Sequence, residues 1–154
     1  MDLSTLDAAP RFSCEAGHVL IAEGRAVQGI YFLEDGELEI FKEGVLVAEI
    51  HDPGAVIGEM SWLLNSTPTA TVQASTRCTL RHVSNPAEFL RHHPAVALHI
   101  AVLLARRLDS LNRYLVEIKN QFRDRSDHLG MLDEVLSSLM NKHPRDIPRR
   151  NVGD

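Results

Sequence analysis

The segment 54–72 concentrates side chains that could bind a small polar ligand. Its one carboxylate, Glu59, directly follows Gly58, and hydroxyl groups surround it in the sequence. A carboxylate accepts hydrogen bonds, and a hydroxyl both donates and accepts them. No Lys or Arg occurs from Glu43 to Thr76. The segment by itself therefore favours a ligand of low negative charge, held among Met60, Trp62, Thr67, Thr69 and Thr71.

Patterns that indicate catalysis or metal binding are not found in the sequence. It contains no nucleophile elbow, Walker loop or dinucleotide fingerprint. Of the eight histidines, His92 and His93 are adjacent and so point apart, and Pro94 separates both from the helix expected to carry His99. The sequence predicts neither an enzyme nor a metal site, and no cofactor.

Several motifs together resemble the cyclic-nucleotide-binding domain family, over roughly residues 10–120. The pair Gly58-Glu59 and the loop after it resemble the family's phosphate-binding cassette, and "the cassette" below means residues 54–72. The flanking motifs are Arg11-Phe12, Gly17-His18-Val19-Leu20, Glu23-Gly24 and the run 30–38 upstream, and Phe89-Leu90, His93-Pro94 and Ala105-Arg106-Arg107-Leu108 downstream. The resemblance implies a β-barrel or jelly roll followed by a long helix through which members dimerise.

The resemblance also implies roles for cassette residues. In the family, the residue matching Glu59 accepts hydrogen bonds from the ribose 2′-hydroxyl, and N–H groups near Met60 and Ser61 face the cyclic phosphate. Helix N-termini suit anions because their first N–H groups lack helical partners. The implied ligand is cyclic AMP or cyclic GMP. The ligand-binding set is Ile57, Gly58, Glu59, Met60, Ser61, Pro68, Thr69, Ala70 and Thr71, with Leu111 and Asn112 at base-contacting positions of the long helix.

One cassette position departs from the family's pattern. Where the family has an arginine that clamps the phosphate, this chain has Pro68, which supplies neither a charge nor a backbone N–H. Losing one partner of a buried charge pair costs on the order of 3–5 kcal/mol, and about 1.4 kcal/mol is tenfold in affinity. A micromolar site would become millimolar or worse unless another cation replaced the arginine. The candidates are Arg25, Arg106, Arg107 and Arg113.

Short apolar and β-branched runs, separated by turn signals, must position the cassette. They predict an antiparallel barrel or jelly roll in a fold that is mainly β with added α-helices. The runs are 19–21, 30–33, 38–41, 45–50, 56–57, 69–74 and 78–83. We expect a barrel domain over 1–93 with short helices, a long helix over 94–122, a helical extension over 123–143 and a disordered tail over 144–154.

The helices have recognisable starts. Asn85 can cap a helix that has Pro86 in its first turn, and a second helix restarts at Pro94. Along this second helix an apolar stripe alternates by four and three residues. We expect its first part, from Ala97 to Leu104, to pack on the chain's own barrel. The later part predicts a parallel homodimer, because it would otherwise expose a large apolar patch. The dimer seam comprises Leu104, Leu108, Leu111, Leu115, Ile118 and Phe122.

The same register continues to Leu139, with two alternatives for the chain beyond the seam. A break near Gly130 would leave a separate short helix over 131–140, capped by Ser126 or Asp127. Alternatively, one coiled coil continues to Leu139. A protein partner could bind this C-terminal segment.

Composition sets outer bounds. The 154 residues are 44% hydrophobic, which suits one domain with a real core. The sequence has no signal-like N-terminus and no long apolar span, so we expect a cytoplasmic protein without membrane contact. Cys14 and Cys78 are too few for a disulfide framework and are expected to be reduced and buried. Residues 1–102 carry a net charge of −7, which does not predict a DNA-binding surface.

Three hypotheses of function follow. In the first, the domain binds a cyclic nucleotide with charge supplied from outside the cassette. In the second, the pocket holds another, less anionic ligand. In the third, the pocket is vestigial, and the protein is a dimeric interaction module acting through its C-terminal helix. The interpretation common to them is a standalone, homodimeric regulatory domain without a DNA-binding helix-turn-helix.

Overall fold

A computed structural model describes residues 3–122 and 126–140 of the chain. The chain divides into two compact units, Met1–Leu103 and Leu104–Asp154. Each unit is described by itself. The predicted disordered tail, 144–154, lies outside the described residues.

Eight antiparallel strands make up the first unit. They form two sheets of four strands, in the orders β1-β8-β3-β6 and β2-β7-β4-β5. A short 3₁₀ segment, Leu3–Leu6, precedes them. The strands are β1 (Arg11–Cys14), β2 (Val19–Ile21), β3 (Ile30–Asp35), β4 (Leu38–Lys42), β5 (Val45–Ile50), β6 (Val56–Ile57), β7 (Thr71–Ala74) and β8 (Cys78–Val83).

This arrangement confirms the predicted jelly roll and corrects one detail of it. The two sheets are open, so the fold is a sandwich and not a closed barrel. Hydrophobic periodicity predicted seven strands and not β1, although the resemblance included Arg11-Phe12 in the family's series of short strands. Strand β1 pairs with β8 from Arg11↔Arg81 to Cys14↔Cys78. With alternate exposure and only one fully buried residue, β1 offers little apolar signal.

The core lies between the two sheets. Leu33 and Leu38 are fully buried at the end of β3 and the start of β4, and Leu80 of β8 joins them. Full burial of such a side chain contributes roughly 1.5–3 kcal/mol. Cys14 and Cys78 are both free and buried in this cluster, as expected.

Four helices complete the described residues: α1 (Glu59–Leu63), α2 (Pro86–His92), α3 (Pro94–Gln121) and α4 (Ser126–Met140). The predicted start of α2 is confirmed, because Asn85 caps it by accepting the Glu88 N–H at 3.4 Å and Pro86 occupies its first turn. The predicted start of the long helix at Pro94 is confirmed as well.

The buried face of early α3 differs from the prediction. Val96 and Ile100 are the residues that α3 buries, at 0% and 4% exposure, whereas Ala101 is exposed. The face that packs is therefore offset by one residue from the stripe beginning at Ala97. Branched side chains fill this position in the core better than the alanines of the predicted face would.

The second unit contains the rest of α3 together with α4. Lys119 of α3 donates a hydrogen bond to Asp133 of α4. Fourteen residues of one straight helix would span about 21 Å, so this contact requires α4 to fold back against α3. Helix α4 begins at Ser126 and continues through Gly130, so a break at Gly130 with a separate helix over 131–140 is not what the structure has. A single straight coiled coil to Leu139 is therefore not what the described residues form.

Candidate functional site

The first arm of the cassette is a sharp turn from β6 into α1. Ile57 pairs with Tyr31 of β3, and Gly58 then adopts φ 85°, a left-handed conformation that favours glycine. The backbone reverses at Gly58, and Glu59 is brought inward at 3% exposure while Met60 is 55% exposed. The N–H of Trp62 makes the bond to the Gly58 carbonyl at 3.2 Å. The N–H groups of residues 59–61 therefore precede the helical ladder, as the anion-binding role requires.

The second arm is the stretch from Pro68 to Thr71, which enters β7. Pro68 is buried, Thr69 is exposed and Ala70 is half-buried. The Gly24 N–H donates to the Pro68 carbonyl at 2.8 Å. The Glu23 N–H donates to Thr71 Oγ1 at 3.1 Å. The turn after β2 therefore holds the second arm in place through two hydrogen bonds.

Strand β2 connects the two arms. Ile21 pairs with Val72 in the sheet, and a Cβ added at Gly58 would lie 3.2 Å from the Ile21 Cδ1 atom. Both arms thus contact the same end of β2. The sequence reasoning had noted Glu23-Gly24 as a motif and assigned it no role. These two residues hold the loop that contains Pro68 in place. The Glu-Gly pair predicts a turn after β2, and that turn is the only sequence signal of this role.

The cassette carries a carboxylate and no positive side chain, which sets its electrostatics. All residues from 43 to 76 are described, and none is Lys or Arg. The arginine that follows Gly24, Arg25, is exposed, and its N–H donates to the Ala22 carbonyl at 3.1 Å. Arg25 directly follows Gly24, whose N–H donates to the Pro68 carbonyl, so the Arg25 backbone lies close to the second arm. Of the four candidate substitute cations, Arg25 is the one that belongs to the first unit.

The start of the cassette is anchored to α3. His99 Nε2 lies 2.9 Å from the Gly54 carbonyl oxygen, so this nitrogen carries the proton and donates. The Gly54 N–H in turn donates to the Leu33 carbonyl at 2.7 Å. A movement of the cassette's first residue would therefore be transmitted to α3 at His99.

Two further predicted ligand residues lie in the second unit. Leu111 is 45% exposed. Asn112 is half-buried, and its Oδ1 atom is buried without a hydrogen-bond partner among the described residues. An acceptor left in this state costs about 1–3 kcal/mol. Contact of these two residues with a ligand in the cassette stays a prediction.

A second charged site of the first unit, the Arg81 cluster, comprises Asp7, Arg11, Glu34 and Arg81. Arg81 donates from Nε to Glu34 Oε1 and from Nη2 to Asp7 Oδ1, both at 2.8 Å, and Arg11 Nε donates to Glu34 Oε2 at 2.6 Å. Burial alone would raise the pKa of Glu34, but the hydrogen bonds and charges of the two arginines outweigh it and lower that pKa. The Arg81 cluster fastens the N-terminal segment to the sandwich.

Comparison with known proteins decides the family. The sequence model of the cyclic nucleotide-binding domain matches residues 11–93, more than half of the chain. The chain belongs to the cyclic nucleotide-binding domain family. The match includes both arms of the cassette and the whole sandwich, and it ends one residue before α3. The domain family binds cyclic AMP or cyclic GMP, and the role of this chain's cassette as a ligand site stays a prediction.

Individual relatives of this cyclic nucleotide-binding domain differ in size and in role. The chain is 31% identical over 97 residues to a cAMP-dependent protein kinase regulatory subunit of Schizosaccharomyces pombe, covering 57% of this chain and 24% of that protein. It is 36% identical over 104 residues to glutaminase 2 of Bradyrhizobium diazoefficiens, covering 63% of this chain and 16% of that enzyme. The chain thus spans a quarter or less of these relatives.

Among solved structures, the Thermus thermophilus catabolite activator protein resembles this domain with a TM-score of 0.64 and 26% identity. The similarity covers 75% of this chain and 57% of that one. Within residues 3–122 and 126–140, no helix is long and apolar enough to cross a membrane. The same residues contain no group of three or more His, Cys, Asp or Glu side chains placed to hold a metal ion.

Proposed function

We propose that this cyclic nucleotide-binding domain is a homodimeric, non-enzymatic, cytoplasmic sensor that binds a cyclic nucleotide weakly. The observation that carries the proposal is the first arm, where Gly58 turns the chain left-handed and Glu59 follows it at 3% exposure. An inward carboxylate at this position suits a ribose hydroxyl.

Weak binding follows from the second arm. Pro68 supplies no charge to a phosphate, and the described cation nearest to it along the hydrogen-bonded backbone is Arg25, which is exposed. An exposed cation acts on a phosphate through solvent, where a pair is worth about 0–1 kcal/mol. That is less than the 3–5 kcal/mol associated with a buried clamp. We therefore place the dissociation constant between 0.1 and 10 mM, as an order of magnitude.

Dimerisation is supported by the exposure of the predicted seam. In the isolated chain, Leu108 is 41% exposed, Leu111 is 45% exposed and Phe122 is 38% exposed, with heptad spacing between them. Such a stripe is the usual contact surface of a two-stranded coiled coil. Signalling would run from the cassette to this helix through the bond from His99 to Gly54, because a ligand that shifts Gly54 also shifts the start of α3.

Calorimetric titration with cyclic AMP and cyclic GMP, each to 10 mM, tests the ligand. We expect binding in the range above. Glu59→Gln should weaken it about tenfold or more, because a hydrogen bond to a charged acceptor contributes about 1.5–3 kcal/mol. Glu49→Gln, on exposed β5, is the matched control and should leave the affinity unchanged.

The outcomes separate the alternatives. Equal loss in the two variants would point to overall charge and contradict the role of Glu59. No heat with either nucleotide would retire the nucleotide sensor. Mass spectrometry of the protein purified under native conditions would then search for a less anionic ligand, and a pocket found empty would favour the interaction module.

A further inference from the structure

Part of the seam on α3 is already covered within one chain. In the second unit, Asn112, Leu115, Ile118 and Lys119 are half-buried, whereas the seam residues Leu108 and Leu111 are exposed. Positions 112, 115, 118 and 119 recur at the spacing of one helix face. Lys119, on that face, binds Asp133. The element that covers this face is therefore α4.

The facing side of α4 shows the complementary pattern. Its covered residues recur every three or four positions, and its exposed residues lie between them. Ser138 is buried at 7% exposure, which marks a close approach, and Ser137 is exposed on the opposite side of the helix. The covered residues are Leu132, Val135, Leu136, Ser138 and Leu139.

We propose that α4 is an intramolecular cover of the seam and that it competes with the α3 helix of a second copy for Leu115 and Ile118. The inference rests on the dimer proposed above and specifies its regulation. A side chain can be buried only once, and an apolar side chain contributes about 1.5–3 kcal/mol when it is buried. Leu108 and Leu111 stay exposed for a first encounter, and the dimer is completed when α4 leaves Leu115 and Ile118.

The test is the dimer dissociation constant of full-length variants, measured by sedimentation equilibrium. Leu136→Asp places a charge on the covered side of α4 and changes no seam residue. We expect it to tighten the dimer about tenfold, which corresponds to about 1.4 kcal/mol released from the competition. Ser137→Asp introduces the same charge at the adjacent exposed position and should give the wild-type constant.

Two results would overturn the cover. A weaker dimer in Leu136→Asp would mean that α4 is part of the dimer interface, as in a four-helix arrangement. A constant equal to that of Ser137→Asp would mean that α4 does not limit access to the seam.

A second measurement separates this inference from the dimer itself. A carbodiimide adds to the Asp133 carboxyl group to form an O-acylisourea, the Lys119 amine attacks its carbonyl carbon, and an amide bond forms as the urea leaves, so the protein loses the mass of one water. We expect this cross-link inside single chains, at a concentration where the protein is monomeric. If it is missing while the dimer forms, the cover is wrong and the dimer stands. If neither the variants nor the wild type dimerise, the proposed dimer is wrong. The proposed competition between α4 and the α3 helix of a second copy is then wrong as well.

Discussion

The Arg81 cluster and the cassette are both charged sites of the same sandwich, and they are built differently. Glu34 is 9% exposed at its side chain and receives two guanidinium groups. Glu59 is about equally buried, yet its segment contains no basic residue. The resemblance predicts that Pro68 stands at the position of the family's arginine. The Arg81 cluster thus pairs its carboxylate with two arginines of neighbouring strands, whereas the stretch of chain that contains the cassette, residues 43–76, includes no Lys or Arg.

This difference predicts that the free energy of unfolding and the affinity for a ligand depend on different residues of the protein. Removing one partner from the Arg81 cluster leaves a buried charge without its ion pair, and this lowers the stability of the folded protein. The absence of an arginine from the cassette leaves the folded protein intact, because the Pro68 carbonyl still accepts the Gly24 N–H. The missing arginine instead lowers the expected affinity for an anionic ligand. Stability should therefore respond to changes in the Arg81 cluster, and affinity to changes in the cassette.

The largest expected effect is a gain of affinity from Pro68→Arg. An arginine here would pair with the cyclic phosphate, and the arm should hold because any residue supplies the carbonyl that Gly24 binds. We expect cyclic AMP to bind about 100-fold more tightly or better, from a clamp of 3–5 kcal/mol, by calorimetry. Pro68→Leu removes the proline without adding charge and should not tighten binding. Equal affinities of the two variants would show that the missing charge is not what limits binding.

The second effect is a loss of stability from Glu34→Ala. Arg81, 11% exposed at its side chain, would lose a buried partner, at a cost of about 3 kcal/mol in the free energy of unfolding. Urea denaturation measures it. Asp35→Ala, next along the chain and exposed, is the control and should cost less than about 0.5 kcal/mol. Similar midpoints would mean that the Arg81 cluster is only a surface network.

The pH dependence of the same variant gives an independent readout. The folded pKa of Glu34 lies below its unfolded value of about 4.3. Its contribution is therefore complete above that unfolded value and is lost as the pH falls through the folded value. Wild-type stability should decline below about pH 4 more steeply than that of Glu34→Gln, which has no carboxylate to protonate. Parallel curves would contradict the lowered pKa.

The smallest effect concerns the turn into α1. Gly58→Ala must hold an alanine at φ 85° and push aside the Ile21 side chain. Gly44→Ala meets a similar φ of 79° in open space. Each should lose about 1–2 kcal/mol from the left-handed conformation, with the larger loss at Gly58. Only Gly58→Ala should also weaken nucleotide binding, and a loss in both variants would remove the link between this turn and the ligand.

Much of the fold could be predicted, because its signals are local. Asn85 and Pro86 mark the start of a helix within four residues of sequence, and glycine-rich turns separate the strands. The residues missed depend on distant partners. Arg81 looked like an ordinary strand residue in the run 78–83, and its carboxylate, Glu34, lies 47 positions away.

The cassette shows the same limit. The resemblance predicted Gly58 and Glu59 by position, and the structure shows the left-handed turn and the burial that suit them. It did not predict that Glu23 and Gly24 hold the second arm, because those hydrogen bonds join segments more than 40 residues apart. The face of α3 was offset for a similar reason, since helical periodicity cannot tell which of two adjacent apolar rows meets the sandwich.

The pairing of β1 with β8 has a consequence for synthesis in the cell. The first strand of the sandwich, Arg11–Cys14, has its sheet neighbour at Cys78–Val83, almost at the end of the domain. Ribosomes add about 5–20 residues per second, so β1 waits roughly 4 to 14 s for its partner to be made. The hairpin of β4 and β5, closed by Glu43 and Gly44 alone, can form in microseconds once its residues emerge. The nascent chain therefore holds a finished hairpin while its first strand is still unpaired.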